Sequence, residues 1–211
     1  MSELFEKSLT DVLKVSASSE PTPGGGSVAA IVAAFAASMS AMVGNLTIGK
    51  KKYRDVEAEI TMLRDRALGL MNRMEELVEA DMSQFRRFME YYKMPAATDE
   101  EKERKEHLIQ EALKGATETP LEIARACLEI LKVVDEVAPI GNTMAISDAG
   151  VSAYLAEAAL MAALLNVDIN LPNLKDASFA EKAKQDKEGL IHQAREIKER
   201  ALATISRRMA G

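Results

Sequence analysis

One carboxylate in this sequence stands where an apolar residue is due. From Val56 the series Ile60, Leu63, Ala67, Leu70, Met74 and Leu77 recurs at steps of three or four, then continues through Phe85, Phe88 and Tyr92. At about 100° per residue these positions share one helical face. The member between Leu77 and Phe85 is Asp81. A desolvated carboxyl keeps its proton to higher pH, which is how proteins prepare an acid/base group near neutrality. The same placement would also suit a pair with an arginine or the cap of a neighbouring helix, and pattern alone leaves these uses open.

Three further segments carry chemistry-bearing residue types. In Pro21-Thr22-Pro23-Gly24-Gly25-Gly26-Ser27, glycines expose backbone N–H groups just ahead of a helix start, an arrangement that holds an anion or a carbonyl oxygen. It lacks the Lys-Ser/Thr of a P-loop and the spacing of a dinucleotide fingerprint, so a tight structural turn is the competing reading. Lys50, Lys51, Lys52 and Arg54 put four cations into five residues, suited either to a polyanionic tail such as a run of carboxylates or to a solvated helix junction. Gly141-Asn142 and Ser147-Asp148-Ala149-Gly150 lead into an apolar stretch ending with Asn166 and Asn170, four apart and on one face. Buried amides need partners, either backbone carbonyls or a heterocyclic ligand.

Other chemistries find no support. His107 and His192 are isolated in charged segments, and no His/Cys/Asp/Glu set has zinc spacing. Neither histidine lies near a nucleophile motif. The reading is therefore metal-free, without a tightly bound cofactor, and suits a substrate already activated as a cation. The net charge of −6 disfavours nucleic acid as a partner. A single cysteine, Cys127, excludes an internal disulfide, reads as a small core residue, and fits a reducing cytoplasm. Met1 to Ser8 carry Glu3 and Glu6 and lack the apolar core of a signal peptide.

The elements that must position these residues read as helices. Aromatics are 4% of the chain and its apolar residues are largely Ala, Leu, Val and Met, a helix former's vocabulary. Predicted helices run over 3–17, 27–48 with Ser27 as cap, 53–93, 98–118 from a Thr98/Glu101 capping box, 119–139 with Pro120 at its first position, 147–169 capped by Ser147, and 178–208 opened by Ser178 and Glu181. Ser27 to Ile48 lacks charge and could pass for a membrane span, but its Ala and Ser content fits a central helix enclosed by others. The expectation is a single all-α bundle domain over residues 1–211, with a central Ala-rich helix and no sheet.

Taken together, five segments resemble the formiminotransferase-cyclodeaminase family, in family order. They are Pro23-Gly24-Gly25-Gly26-Ser27-Val28-Ala29-Ala30, Asn45-Leu46-Thr47 through Gly49-Lys50-Lys51-Lys52-Tyr53, Ala80-Asp81 with Phe85, Ser147-Asp148-Ala149-Gly150-Val151, and Asn166-Val167-Asp168-Ile169-Asn170. The resemblance spans roughly residues 5–185. It covers both the cyclodeaminase domain and the stand-alone methenyltetrahydrofolate cyclohydrolases. It implies an all-α homodimer acting on a tetrahydrofolate derivative, with Asp81 at the family's catalytic aspartate and the lysine run facing a polyglutamate tail. Gly24, Gly25, Gly26, Ser27, Asn142, Asp148, Asn166 and Asn170 complete the implied substrate site. The chain departs from the family at Met82-Ser83-Gln84, where a further acidic residue is frequent, at Ser152, where alanine is usual, and at Pro172; the last two are expected to reshape one pocket wall. The resemblance implies hydrolysis of 5,10-methenyltetrahydrofolate to 10-formyltetrahydrofolate, favoured by the lack of a transferase domain within these residues. Cyclodeamination of formiminotetrahydrofolate is the alternative, and a folate-binding or scaffold protein without catalysis is the non-enzymatic rival.

Overall fold

The computed structural model describes residues 3–210, so the calls on Met1, Ser2 and Gly211 lie outside the described residues. Six α-helices and three short 3-10 turns, with no strand among the described residues, form the bundle. The helices are α1 Leu9–Ser16, α2 Gly25–Thr47, α3 Glu57–Lys93, α4 Asp99–Val137, α5 Ile146–Asn170 and α6 Ala177–Ala210. Helix α2 packs against α3 and α5, α4 against α3 and α5, and α6 against α4 and α5. Gly25 at the start of α2 lies beside Asn166 near the end of α5, and Thr47 at its end accepts from the Asn142 N–H, so the two helices run antiparallel.

Small side chains set this geometry. Ala29, Ala30, Ala33, Ala36 and Ala37 are buried along α2, and Ala149, Ala153, Ala156 and Ala163 along α5. Such residues let helix axes approach closely, and at the centre of the seam Ser152 Oγ donates to the Ala36 carbonyl (2.6 Å) and meets Ser40 Oγ at 2.8 Å. Ser152 is therefore a seam residue. The expectation that it shapes a pocket wall is overturned.

The opposite faces of these helices are uncovered. Val28, Phe35 and Leu46 on α2 and Val151, Tyr154, Leu165 and Ile169 on α5 are exposed, with Phe35 at 50%, Leu165 at 67% and Ile169 at 71%. Gly25–Thr47 and Thr143–Asn173 are long and apolar enough to cross a membrane by length and composition, although half or more of each apolar window is buried inside the bundle.

Several helix boundaries differ from the sequence expectation, for physical reasons. Helix α1 begins at Leu9, where Ser8 Oγ accepts the Asp11 N–H. Helix α2 begins two residues before Ser27 with Gly24 as N-cap, which places Ser27 inside the helix, fully buried. Lys51–Val56 forms a 3-10 turn ahead of α3. Helix α5 starts from the turn Thr143–Ala145 capped by the Asn142 side chain, so Ser147 is not its cap. Asp176, rather than Ser178, accepts the Phe179 N–H at the start of α6. The Thr98/Glu101 capping box is present as expected.

The largest difference is α4, which passes through Pro120 without ending. Proline has no N–H, so the carbonyl of Ala116 loses its i+4 partner. Asn170 Nδ2, reaching over from α5, donates to that oxygen at 2.9 Å. A tertiary contact thus supplies the hydrogen bond that local sequence lacks. Replacing Asn170 by Ala should orphan the carbonyl and cost about 1–3 kcal/mol. In a Pro120→Ala background the helix N–H returns, so the same change should cost less than half as much. Melting temperatures around this double-mutant cycle check the coupling, and additive losses would refute it.

Candidate active site

A cavity of about 680 Å³ opens between the N-terminal end of α2, the C-terminal half of α3, the N-terminal half of α4 and the C-terminal end of α5. Phe85, Phe88 and Tyr92 from α3 face Ile109, Leu113 and Ala116 from α4 across it. Gly24, Gly25, Gly26 and Asp81 line another part of the wall, with Asn166 and Asn170 from α5. Flat apolar walls with a few polar groups suit a planar heterocycle.

Asp81 is the carboxylate among these groups that belongs to the apolar stripe. Ser27 Oγ donates to Asp81 Oδ2 at 2.6 Å. Burial pushes the Asp81 carboxyl above its ordinary value, against the opposing pull of the Ser27 hydroxyl and backbone N–H. The stripe reading of Asp81 as a desolvated acid thus agrees with its surroundings, and the carboxylate also meets the start of a neighbouring helix through the Ser27 N–H, while no arginine among the described residues pairs with it. Gly26 makes the placement possible. A Cβ there would stand 2.8 Å from Asp81 Cγ and 2.9 Å from Oδ2, and closer still to Oδ1. The absence of a side chain lets α3 bring its carboxylate against the first turn of α2, whose free N–H groups favour negative charge.

The two asparagines are partly committed to structure. Asn166 Nδ2 donates to the Ala162 and Ala163 carbonyls of its own helix (3.2 and 3.4 Å), and Asn170 Nδ2 is held by Ala116. Both residues line the cavity. Gln84, one turn beyond Asp81, was not among the sequence candidates. It lines the cavity, its Oε1 is buried without a hydrogen-bond partner, and it packs so tightly on Gly115 that a Cβ there would lie 2.5 Å away. Pattern could not mark Gln84, because its significance comes from facing a glycine of another helix.

The structure does not bring all predicted site residues together. Lys50, Lys51, Lys52, Asn142 and Asp148 lie at the other end of α2 and α5 from Asp81. There Asn142 Nδ2 donates to the Leu46 carbonyl (2.7 Å), and the Tyr53 hydroxyl accepts the Thr143 N–H (3.0 Å). Helix α2 has 23 residues, a span of about 34 Å at 1.5 Å per residue. Within one chain these residues cannot share a small ligand with the carboxylate. Among the described residues no group of three or more His, Cys, Asp or Glu is placed to hold a metal ion.

Comparison with known proteins agrees with this geometry. The family model described as Formiminotransferase-cyclodeaminase matches residues 8–189. Methenyltetrahydrofolate cyclohydrolase of Methylorubrum extorquens is 44% identical over 189 residues, covering 90% of this chain and 91% of the relative. Formimidoyltransferase-cyclodeaminase of Mus musculus is 32% identical over 192 residues, and the match covers 36% of that longer protein. The crystal structure of formiminotetrahydrofolate cyclodeaminase from Thermotoga maritima superimposes with a TM-score of 0.87 at 28% identity, covering 97% of this chain and 98% of that one. With its cavity, its helical order and its sequence all in agreement, the chain belongs to the formiminotransferase-cyclodeaminase family.

Proposed function

We propose that this chain hydrolyses 5,10-methenyltetrahydrofolate to 10-formyltetrahydrofolate, with Asp81 as the acid/base group and no metal. The observation that carries the reading is a half-buried carboxylate, raised in pKa, in the wall of an aromatic-lined cavity. The methenyl carbon bridges two nitrogens and shares a positive charge with them. An ionised Asp81 stabilises that cation and takes a proton from water as its oxygen bonds to the bridging carbon. The bond from that carbon to one ring nitrogen then breaks, the proton passes from Asp81 to the departing nitrogen, the adduct's hydroxyl releases its own proton to solvent as its oxygen becomes a carbonyl, and a formyl group remains on the other nitrogen. Ser27 holds the carboxylate in place through this cycle. The 44% identity to a cyclohydrolase over nearly its whole length supports this choice.

A second reading, cyclodeamination of formiminotetrahydrofolate, is favoured by the likeness to the Thermotoga maritima structure. There the same carboxyl would protonate departing ammonia as the ring closes. Following methenyltetrahydrofolate absorbance separates the possibilities. Loss of the band faster than the spontaneous rate supports hydrolysis; appearance of the band with ammonia from the formimino substrate supports cyclodeamination. A rate unchanged in both assays leaves a binding or scaffold protein.

The exposed apolar stripes of α2 and α5 support a homodimer in the cytoplasm, since patches of this kind on soluble chains are usually covered by a partner. The expected result is a particle of twice the chain mass in detergent-free buffer, without affinity for nucleic acid. A monodisperse monomer by sedimentation, or a need for detergent, would remove the dimer.

A further inference from the structure

We infer that Gln84 is a second catalytic residue of the cavity, its side-chain amide donating from Nε2 to the oxygen that water delivers to the one-carbon unit. The inference rests on the hydrolytic reading above and adds to it a partner for the incoming oxygen.

Gln84 stands three residues beyond Asp81 on α3, so the two project from one face with Cβ atoms about 5–6 Å apart. Both line the cavity. Each is received by a glycine of a different helix. Gly26 of α2 leaves room for the carboxylate, and Gly115 of α4 leaves room for the amide, where a Cβ would stand 2.5 Å from Gln84 Oε1 and 3.2 Å from Nε2. Seated there, Oε1 is shut away from the cavity without a hydrogen-bond partner. Nε2 also bonds nothing among the described residues, and it is the end of the amide left open.

An amide buried without partners weighs against folding. The other side-chain amides on the cavity wall avoid that cost. Gln110 Nε2 donates to the Asn173 carbonyl (3.1 Å), Asn166 Nδ2 to the Ala162 and Ala163 carbonyls, Asn170 Nδ2 to that of Ala116, and Asn173 Nδ2 to that of Ile169 (3.2 Å). The Ser27 hydroxyl is spent on Asp81. Among these amides Gln84 alone has N–H groups that engage nothing in the protein, and it is the one beside the acid/base group. A polar group left unpaired at a cost to the fold is the mark of a residue kept for a ligand.

The chemistry says which ligand atom it serves. Water's oxygen bonds to the bridging carbon and gives one proton to Asp81. When the carbon–nitrogen bond breaks, that proton passes to the nitrogen. The adduct's hydroxyl then loses its own proton to solvent, and the electron pair left behind forms the carbonyl. Negative charge gathers on the oxygen during that loss. Asp81, ionised again, can only repel it, whereas an amide N–H stabilises it as an oxyanion donor does. Gln84 itself neither gains nor loses a proton. Cyclodeamination brings no oxygen to the carbon, so this role belongs to hydrolysis alone.

Gln84→Met keeps the length of the side chain and removes both ends of the amide. Its kcat for loss of the methenyltetrahydrofolate band should fall about a hundredfold, with KM within about twofold of wild type. Its melting temperature should hold or rise, because a buried oxygen without a partner has gone. Gln84→Ala, too small to crowd Gly115, should show the same fall in kcat. A raised KM with kcat intact would assign the amide to holding the heterocycle and overturn the proposal. Wild-type kcat in both variants, or a lower melting temperature with normal turnover, overturns it as well. A wild-type protein that leaves the spontaneous rate unchanged sinks the hydrolytic reading and this inference with it, whereas an active wild type matched by equally active variants sinks the inference alone.

Discussion

Asp81→Asn is expected to lower kcat by about a hundredfold or more while the melting temperature stays level or rises. The activity loss follows from removing the acid/base group and its negative charge from a site built around a developing cation. The stability effect follows from the direction of the pKa shift. A carboxyl whose folded pKa is raised favours the fold while protonated. That contribution is complete below the unfolded-state value near about 4 and is lost as pH rises through the folded value. At neutral pH the ionised Asp81 therefore weighs against folding, and Asn removes that weight while keeping a group able to meet Ser27. The same shift places the acid limb of kcat/KM above the range of an ordinary aspartate, and the limb should vanish in the residual activity of the variant. A structural Asp81 would give the opposite pair of results, with near-normal turnover and a lower melting temperature.

Gly26→Ala should damage both properties together. Its Cβ would overlap the Asp81 carboxylate, so either the carboxylate leaves Ser27 or α2 and α3 separate. Overpacking of this kind costs about 1–3 kcal/mol, or roughly 2–12 °C in a chain of this size. A displacement near 1 Å at a catalytic group costs about a hundredfold in rate. Gly69→Ala on the exposed face of α3 is the contrast, since nothing lies within 4 Å of a Cβ there and alanine is the better helix former. Adding Asp81→Ala to Gly26→Ala removes the clash, so the double variant should regain its melting temperature without regaining activity. A Gly26→Ala protein with wild-type kcat would show that the contact between α2 and the carboxylate has no part in catalysis.

How far the sequence foretold these positions depended on the range of the interactions involved. The break in the α3 stripe was legible at Asp81, because periodicity is local and a carboxylate in an apolar series stands out. Ser27 and Gly26 were noticed for a cap and a turn, whereas their roles are to bond and to make room for Asp81, which lies 54 positions beyond Ser27. The α4 wall of the cavity, Ile109, Leu113 and Ala116, was unmarked, since their spacing reads as ordinary core packing. Pro120 misled in the same manner. Its local meaning is a helix start, and only Asn170, 54 residues from Ala116, turns it into an interior residue. The lysine run was recognised as cationic, but its distance from Asp81 depends on the direction of α2, which no motif states.

The sealed thiol on α4 has a practical meaning of its own. Cys127 is fully buried, and burial pushes its pKa far above the ordinary range, so the sulfur is neither reachable nor charged in the folded chain. The chain as folded offers thiol-directed reagents nothing to react with. Assembly through adventitious disulfides is therefore closed to the folded chain. It also makes the molecule a clean scaffold for spectroscopy. A cysteine introduced on the outer face of α2 would be the sole reactive handle, and a pair of spin labels placed there would measure the distance between two copies with no contribution from the native sulfur.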